Sequence, residues 1–122
     1  MAKILLIDDS KIQRKWVKRT LENDKYEFIE AANGLEGLDM MMEHQPDLIL
    51  CDLNMPIMGG LECMETMRTR ELSFPLVIIT ADIQKTTKEK CLELGALSII
   101  HKPIEEPELV SLVADILSAQ EK

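Results

Sequence analysis

Short aliphatic runs alternate with longer amphipathic segments along the chain, and this alternation constrains the fold more than any other feature. Ile4–Ile7, Leu48–Cys51 and Leu76–Ile79 are four-residue apolar runs flanked by polar or turn residues. None is long enough for a helix. Such runs read as strands buried on both faces, the habit of central strands in parallel sheets. Tyr26-Glu27-Phe28-Ile29-Glu30-Ala31 and Ser98-Ile99-Ile100-His101-Lys102 mix charge into the strand pattern. These two read as sheet edges, where one side meets water.

Helical patterns fill the intervals. Ser10-x-x-Gln13 has the form of a capping box, with Trp16, Val17 and Leu21 on the inner face of the helix it opens. Asn33-x-x-Glu36 resembles a second box, followed by Leu35, Leu38 and Met42 on one side. Leu61, Met64 and Met67 or Arg68 suit a third helix, and Thr86 to Leu94 a fourth, which Gly95 would stop. In the fifth, Pro107 sits in the first turn, and Leu109, Leu112, Val113, Ile116 and Leu117 follow helical spacing. The order is β-α repeated five times. This predicts an α/β fold, a single doubly wound five-stranded parallel sheet with helices on both faces. Three apolar central strands and two mixed edges are compatible with the strand order 2-1-3-4-5. With 122 residues, no linker and no repeat, the expectation is one domain over 1–122 with no attached output domain.

Composition narrows the function. The chain has 22 acidic against 14 basic residues, a net charge of −8. Binding to nucleic acid draws largely on cations that neutralise phosphates, so neither nucleic acid nor an anionic membrane surface is an expected partner. The longest uninterrupted aliphatic runs have four residues, far below the ~20 of a membrane span. The apolar stretch after Met1-Ala2-Lys3 meets Asp8 too soon for a signal peptide. A cytoplasmic chain is expected. Cys51, Cys63 and Cys91 form no C-x-x-C pair and read as buried, reduced thiols.

In an open α/β sheet, ligands sit beyond the carboxyl ends of the strands, where the strand order reverses. Here that point lies between the first strand, ending in Asp8-Asp9, and the third, ending in Asp52. Three converging carboxylates repel one another unless a cation joins them. An all-oxygen set with room for water favours Mg²⁺. Thr80 and Lys102 finish strands four and five beside the same crevice. Three carboxylates, one ammonium and one divalent cation balance to zero, and converting a carboxylate to an acyl phosphate dianion lowers that total by one. Without metal the site would start doubly negative, so phosphorylation would require Mg²⁺. In-line phosphoryl transfer depends on positioning and charge neutralisation. Asp52 could attack, the metal and Lys102 could hold equatorial oxygens, Thr80 could donate a hydrogen bond, and the small Ala81 would leave the approach open. Each residue alone has a plainer reading: Asp8-Asp9 as a helix cap, Asp52 as a solvated strand end, Thr80 as a β-branched strand residue, Lys102 as a surface lysine. Their joint placement favours the site.

Together, Asp8-Asp9, Asp52-x-Asn54-Met55-Pro56, Gly60, Thr80-Ala81 and Lys102-Pro103 resemble the receiver domain of two-component response regulators, most closely the stand-alone chemotaxis type. The resemblance covers essentially the whole chain. It implies the flavodoxin-like strand order 2-1-3-4-5 with five helices, and Asp52 as phospho-acceptor. Asp9, Asp52 and the backbone carbonyl of Asn54 would bind Mg²⁺ directly, with Asp8 acting mainly through water. Thr80 and Lys102 would contact the phosphoryl group, and the Lys102–Pro103 bond would be cis. A histidine kinase would donate the phosphoryl group, and a downstream target would dock on the fourth helix, fifth strand and fifth helix. The chain would be no enzyme beyond self-phosphorylation and autodephosphorylation, with chemotaxis or motility as its pathway, or else a place as phosphorelay intermediate or phosphate sink.

Three features are particular to this sequence. Ile99 stands where receivers often carry Tyr or Phe, so a switch would use an aliphatic side chain or a backbone shift. Asp82 falls near the expected path of a hydrolytic water, where with Asn54 it would tune phosphoryl lifetime. Gly59-Gly60 reads as a permissive loop. Other classes fit less well. A small Mg²⁺-dependent aspartyl-phosphate phosphohydrolase would need D-x-D, but the triplet is Asp52-Leu53-Asn54. A nucleotide or flavin module would need a glycine-rich phosphate loop. A receiver-shaped scaffold that never takes phosphate would not need the full acidic set.

Overall fold

The computed structural model describes residues 1–120. Strands and helices alternate as β1 (Ala2–Ile7), α1 (Lys11–Leu21), β2 (Tyr26–Ala31), α2 (Gly34–His44), β3 (Leu48–Asp52), α3 (Gly60–Thr69), β4 (Leu76–Thr80), α4 (Lys85–Glu93), β5 (Ser98–His101) and α5 (Glu106–Gln120). The five strands are parallel, in the order β2-β1-β3-β4-β5, so the expected topology and both edges are observed.

Alternation along the strands divides the core into two layers. Leu5, Ile7, Ile49, Cys51, Leu76 and Ile78 face Leu38 and Met41 of α2, Cys63, Met64 and Met67 of α3, and Cys91 of α4. Ile4, Leu6, Leu48, Leu50, Val77, Ile79 and Ile100 face Val17 and Leu21 of α1 and Leu109, Val113 and Leu117 of α5. β3 and β4 are buried at every position, which is why their sequences show no polar alternation. Fully burying such a Leu, Ile or Val contributes about 1.5–3 kcal/mol, so the two layers drive the fold. All three cysteines are buried and unpaired, as their spacing predicts.

The helix signals act with some changes of partner. Ser10 Oγ accepts from the Gln13 N–H, but the Ser10 N–H goes to Asp8 Oδ1 rather than to the Gln13 side chain. Asn33 Oδ1 accepts from the Glu36 N–H, and Glu36 Oε1 accepts from the N–H of Ala32, one residue before the expected donor of a box. The inner face of α2 differs from expectation. Leu38 is buried, but Leu35 and Met42 are exposed, and Gly34, Gly37 and Met41 complete the buried stripe. Three consecutive methionines give no phase, and Gly37 sets it, because a Cβ there would strike the side chain of Ile7. α4 stops in a Schellman motif: the Gly95 N–H bonds Leu92 O, the Ala96 N–H bonds Cys91 O, and Gly95 adopts φ +108°.

The Gly59-Gly60 reading is also corrected. Both residues have ordinary negative φ, and their role is close approach instead of conformational freedom. A Cβ on Gly59 would lie 2.7 Å from Leu53 O, and one on Gly60 would collide with the carbonyl of Asp52. The Gly60 N–H instead donates to Leu53 O at 2.9 Å, seating the start of α3 against the end of β3. Gly60→Ala is expected to destabilise the chain by about 1–3 kcal/mol through overpacking against backbone, measured by urea denaturation.

Candidate functional site

Three strands end at one crevice. Asp8 follows β1, Asp52 closes β3 and Lys102 follows β5, and each has the strand parity that faces α1 and α5. One carboxylate oxygen from each of Asp8, Asp9 and Asp52 lies within 4.8 Å of the others. Asp8 and Asp52 are buried, whereas Asp9 is exposed. Lys102 Nζ lies 3.2 Å from Asp52 Oδ2 and 4.0 Å from Asp8 Oδ2. Asp52 Oδ1 accepts from the Leu53 N–H at 2.8 Å. Asp8 Oδ1 accepts from the Ser10 N–H at 2.9 Å.

The electrostatics follow from this crowding. Burial pushes the Asp8 carboxyl above its ordinary range, and the nearby charges of Asp52 and Asp9 add to it. The Ser10 N–H and the Lys102 ammonium oppose the rise. An ammonium neutralises one charge, so among the described residues Lys102 leaves two carboxylates without an ion-pair partner. The donor set, all oxygen with one exposed member, suits a hard divalent cation that keeps some of its waters, and Mg²⁺ fits that description.

The other expected site residues are near but differently engaged. Thr80 is buried at the end of β4, on the opposite strand parity from Asp52, and its Oγ1 accepts from the Asp82 N–H at 3.0 Å. Among the described residues its hydroxyl makes no hydrogen bond to Asp52 or Lys102. Backbone ties it to the site instead, because the Lys102 N–H donates to Thr80 O at 2.8 Å. Asn54 is exposed in the β3–α3 loop, and its carbonyl accepts no bond among the described residues. Asp82 ties the loop before α4 to its first turn: Oδ1 accepts from the Gln84 N–H, and Oδ2 accepts from the Thr87 hydroxyl. The Lys102–Pro103 bond is cis.

Two features of the site escaped sequence reasoning. Arg14 of α1 donates from Nη1 to the Asp8 carbonyl and from Nε to Glu30 at 2.9 Å. The available signal was the i, i+4 pair Arg14 and Lys18 opposite a charged residue on an edge strand. Ile57, in the β3–α3 loop, sits at φ +69° and is 77% exposed. A β-branched residue in that region is strained, by roughly 1–2 kcal/mol. Ile12 and Ile83 are likewise exposed, on the first turn of α1 and in the β4–α4 loop, so isoleucines project from three segments at the carboxyl end of the sheet.

Comparison with known proteins agrees with this geometry. Residues 4–114 match the model of the response regulator receiver domain. The chain is 32% identical over 120 residues to the chemotaxis protein CheY of Halobacterium salinarum, covering 98% of this chain and all of that one. It is 31% identical over 116 residues to the polar-differentiation response regulator DivK of Brucella anthropi, covering 93% and 94% of the two chains. The structure of chemotaxis protein CheY4 from Vibrio cholerae superposes with a TM-score of 0.86 at 31% identity, covering 96% of this chain and 99% of that one. The chain belongs to the receiver domain family of two-component response regulators. The fold is the flavodoxin-like arrangement shared with these neighbours.

Two outcomes follow. Asp8 is harder to ionise folded than unfolded, so its cost is full above its raised folded value and absent below the unfolded value near 3.8. Asp8→Asn, which keeps an oxygen for the Ser10 N–H, is expected to raise the melting temperature at pH 7 in chelator. That gain should vanish as acidification protonates wild-type Asp8. Ile57→Asn, better suited to positive φ, is expected to stabilise the chain by about 1 kcal/mol in urea denaturation.

Proposed function

We propose that this chain is a phosphorylatable single-domain signalling switch in which Asp52 accepts a phosphoryl group from a histidine kinase with Mg²⁺ present. The observation that carries the reading is the contact of Asp52 with Lys102 at 3.2 Å inside a cluster of three carboxylates. A carboxylate oxygen of Asp52 attacks the phosphorus of phosphohistidine, the P–N bond breaks, and the imidazole nitrogen leaves with the bond pair. Asp8, Asp9, Asp52 and the Asn54 carbonyl would hold Mg²⁺, which would neutralise charge on the transferring group. Lys102 is placed to follow Asp52 Oδ2 to a phosphoryl oxygen. Thr80 keeps its hydroxyl proton free to donate while its oxygen accepts from Asp82. The exposed Ile12, Ile57 and Ile83 offer the donor protein apolar contact around the site.

Signal output follows from a shift in conformational population. We assign the target surface to α4, β5 and α5, where Leu92, Leu97 and Val110 are exposed. Ile99 of β5 pairs in register with Ile78 and packs against the α2–α4 layer. It therefore couples this surface to the core without an aromatic ring. The relatives are matched over nearly their whole lengths, which supports a regulator that works without an attached output domain. Two relatives are named chemotaxis proteins, and chemotaxis is the leading pathway; a third is named a polar-differentiation response regulator, and a phosphorelay intermediate or phosphate sink is the second reading. Among the described residues no helix is long and apolar enough to cross a membrane. The three reduced thiols suit the cytoplasm.

Intact mass after incubation with acetyl phosphate tests the reading. The wild type should gain one phosphoryl group in Mg²⁺ and none in chelator, and Asp52→Asn none in either. Steady turnover of phosphate esters would favour a phosphohydrolase instead, and an unmodified wild type would leave only a scaffold.

A further inference from the structure

At the site, β1 leaves its ladder before its last acidic residues. The register of β1 with both neighbours ends at Ile7, opposite Ala31 and Cys51. The Asp8 N–H still bonds Ala31 O at 3.0 Å, but the Asp8 carbonyl has passed the ladder. A carbonyl there needs a partner from elsewhere. It receives the guanidinium of Arg14, which is only 14% exposed. The same guanidinium donates from Nε to Glu30 Oε1, and Lys18, one helical turn on, donates to Glu30 Oε2, each at 2.9 Å. Partial burial raises the Glu30 carboxyl, but the hydrogen bonds from Lys18 and Arg14 outweigh it and keep the group ionised below its ordinary range.

We propose that Arg14, anchored by Glu30, is a positioning residue for the acidic pocket: it sets the plane of the Asp8–Asp9 peptide and thereby the affinity of the site for a divalent cation. The peptide unit is planar, so fixing the Asp8 carbonyl fixes the direction of the Asp9 N–H and the position of the Asp9 Cα. Asp9 is the exposed member of the acidic cluster and has the least packing of its own. Arg14 also lines a small depression together with Asp8 and Asp52, so its side chain borders the two buried members of the cluster. The inference rests on the reading of the pocket as a Mg²⁺ site.

Charge and positioning predict opposite signs. Removing a cation near three carboxylates should by charge alone strengthen Mg²⁺ binding. Loss of a positioning contact should weaken it, and outer-shell partners of metal ligands typically contribute about 10-fold or more in affinity. Titrate Mg²⁺ into the full chain by calorimetry, with thermal melts in chelator alongside. Arg14→Met, which retains an apolar stem, is expected to weaken Mg²⁺ about 10-fold. Arg14→Lys should recover part of the loss, since its ammonium can reach the carbonyl but not serve both acceptors in a fixed plane. Glu30→Gln should weaken binding in the same direction and less. Glu30→Gln also carries the test if Arg14→Met does not fold. Affinity in Arg14→Met equal to or tighter than wild type overturns the proposal, as does wild-type affinity in Glu30→Gln when that variant alone is folded. A wild type that takes up no Mg²⁺, or an Asp52→Asn variant that binds as well as wild type, overturns the underlying reading of the pocket instead.

Discussion

Like charge at short range is the constraint around which this molecule is arranged. A parallel sheet of order β2-β1-β3-β4-β5 places the ends of β1 and β3 side by side, and both ends are acidic. Two of the carboxylates are also buried, so neither water nor distance relieves them. Lys102 offsets one charge, and the N–H groups of Ser10 and Leu53 each bond one oxygen. Among the described residues no second cation pairs with these carboxylates, which is a thermodynamic cost in the free chain and a source of affinity for a divalent ion. Sequences usually agree with their folds at every level except where function intervenes, and the acidic mouth is such an exception.

The loops around the mouth are joined by main-chain contacts, and at Gly34 and Gly60 these leave no space for a side chain. Gly60 N–H meets Leu53 O, Gly34 N–H meets Met58 O, and Lys102 N–H meets Thr80 O, each at 2.8–2.9 Å. The β3–α3 loop is therefore clasped by the starts of both α2 and α3. Thr80 and Asp82 form a separate unit on the β4 side, in which the threonine oxygen and the aspartate carboxylate organise the start of α4. The acidic half and the threonine half of the crevice thus touch through backbone more than through side chains. The Thr80 side chain is thereby linked through the Asp82 N–H to the segment that leads into α4.

Much of this was legible in the residues. The central strands declared themselves because burial on both faces removes polar positions, and the edges because one face keeps them. Asp8, Asp9 and Asp52 could be placed together because strand ends at a reversal of order must converge. Legibility failed where packing decides among equivalent residues. Met40, Met41 and Met42 are chemically alike, and only the contact between Gly37 and Ile7 selects Met41 for the core. Gly59 and Gly60 looked like freedom and proved to be proximity, since the carbonyls they approach are set by tertiary structure. Arg14 and Lys18 at i, i+4 hinted at an anionic partner such as Glu30, but the bond to the Asp8 main-chain carbonyl was hidden, since sequence does not distinguish one carbonyl from another. Asp82 reads in sequence as a residue near a hydrolytic water, and its bonds to the Gln84 N–H and the Thr87 hydroxyl are hidden there because that spacing matches no capping box.

The cysteines give the molecule one further property. Cys51, Cys63 and Cys91 sit on β3, α3 and α4 within the same layer of the core, and none reaches the surface. Burial raises all three thiols above their ordinary range, Cys63 to about 11 and Cys51 well up, so thiolate is scarce while the layer stays closed. Alkylating reagents and oxidants therefore meet sulfur only when β3, α3 and α4 part, and the rate of labelling becomes a clock for the opening of that half of the molecule.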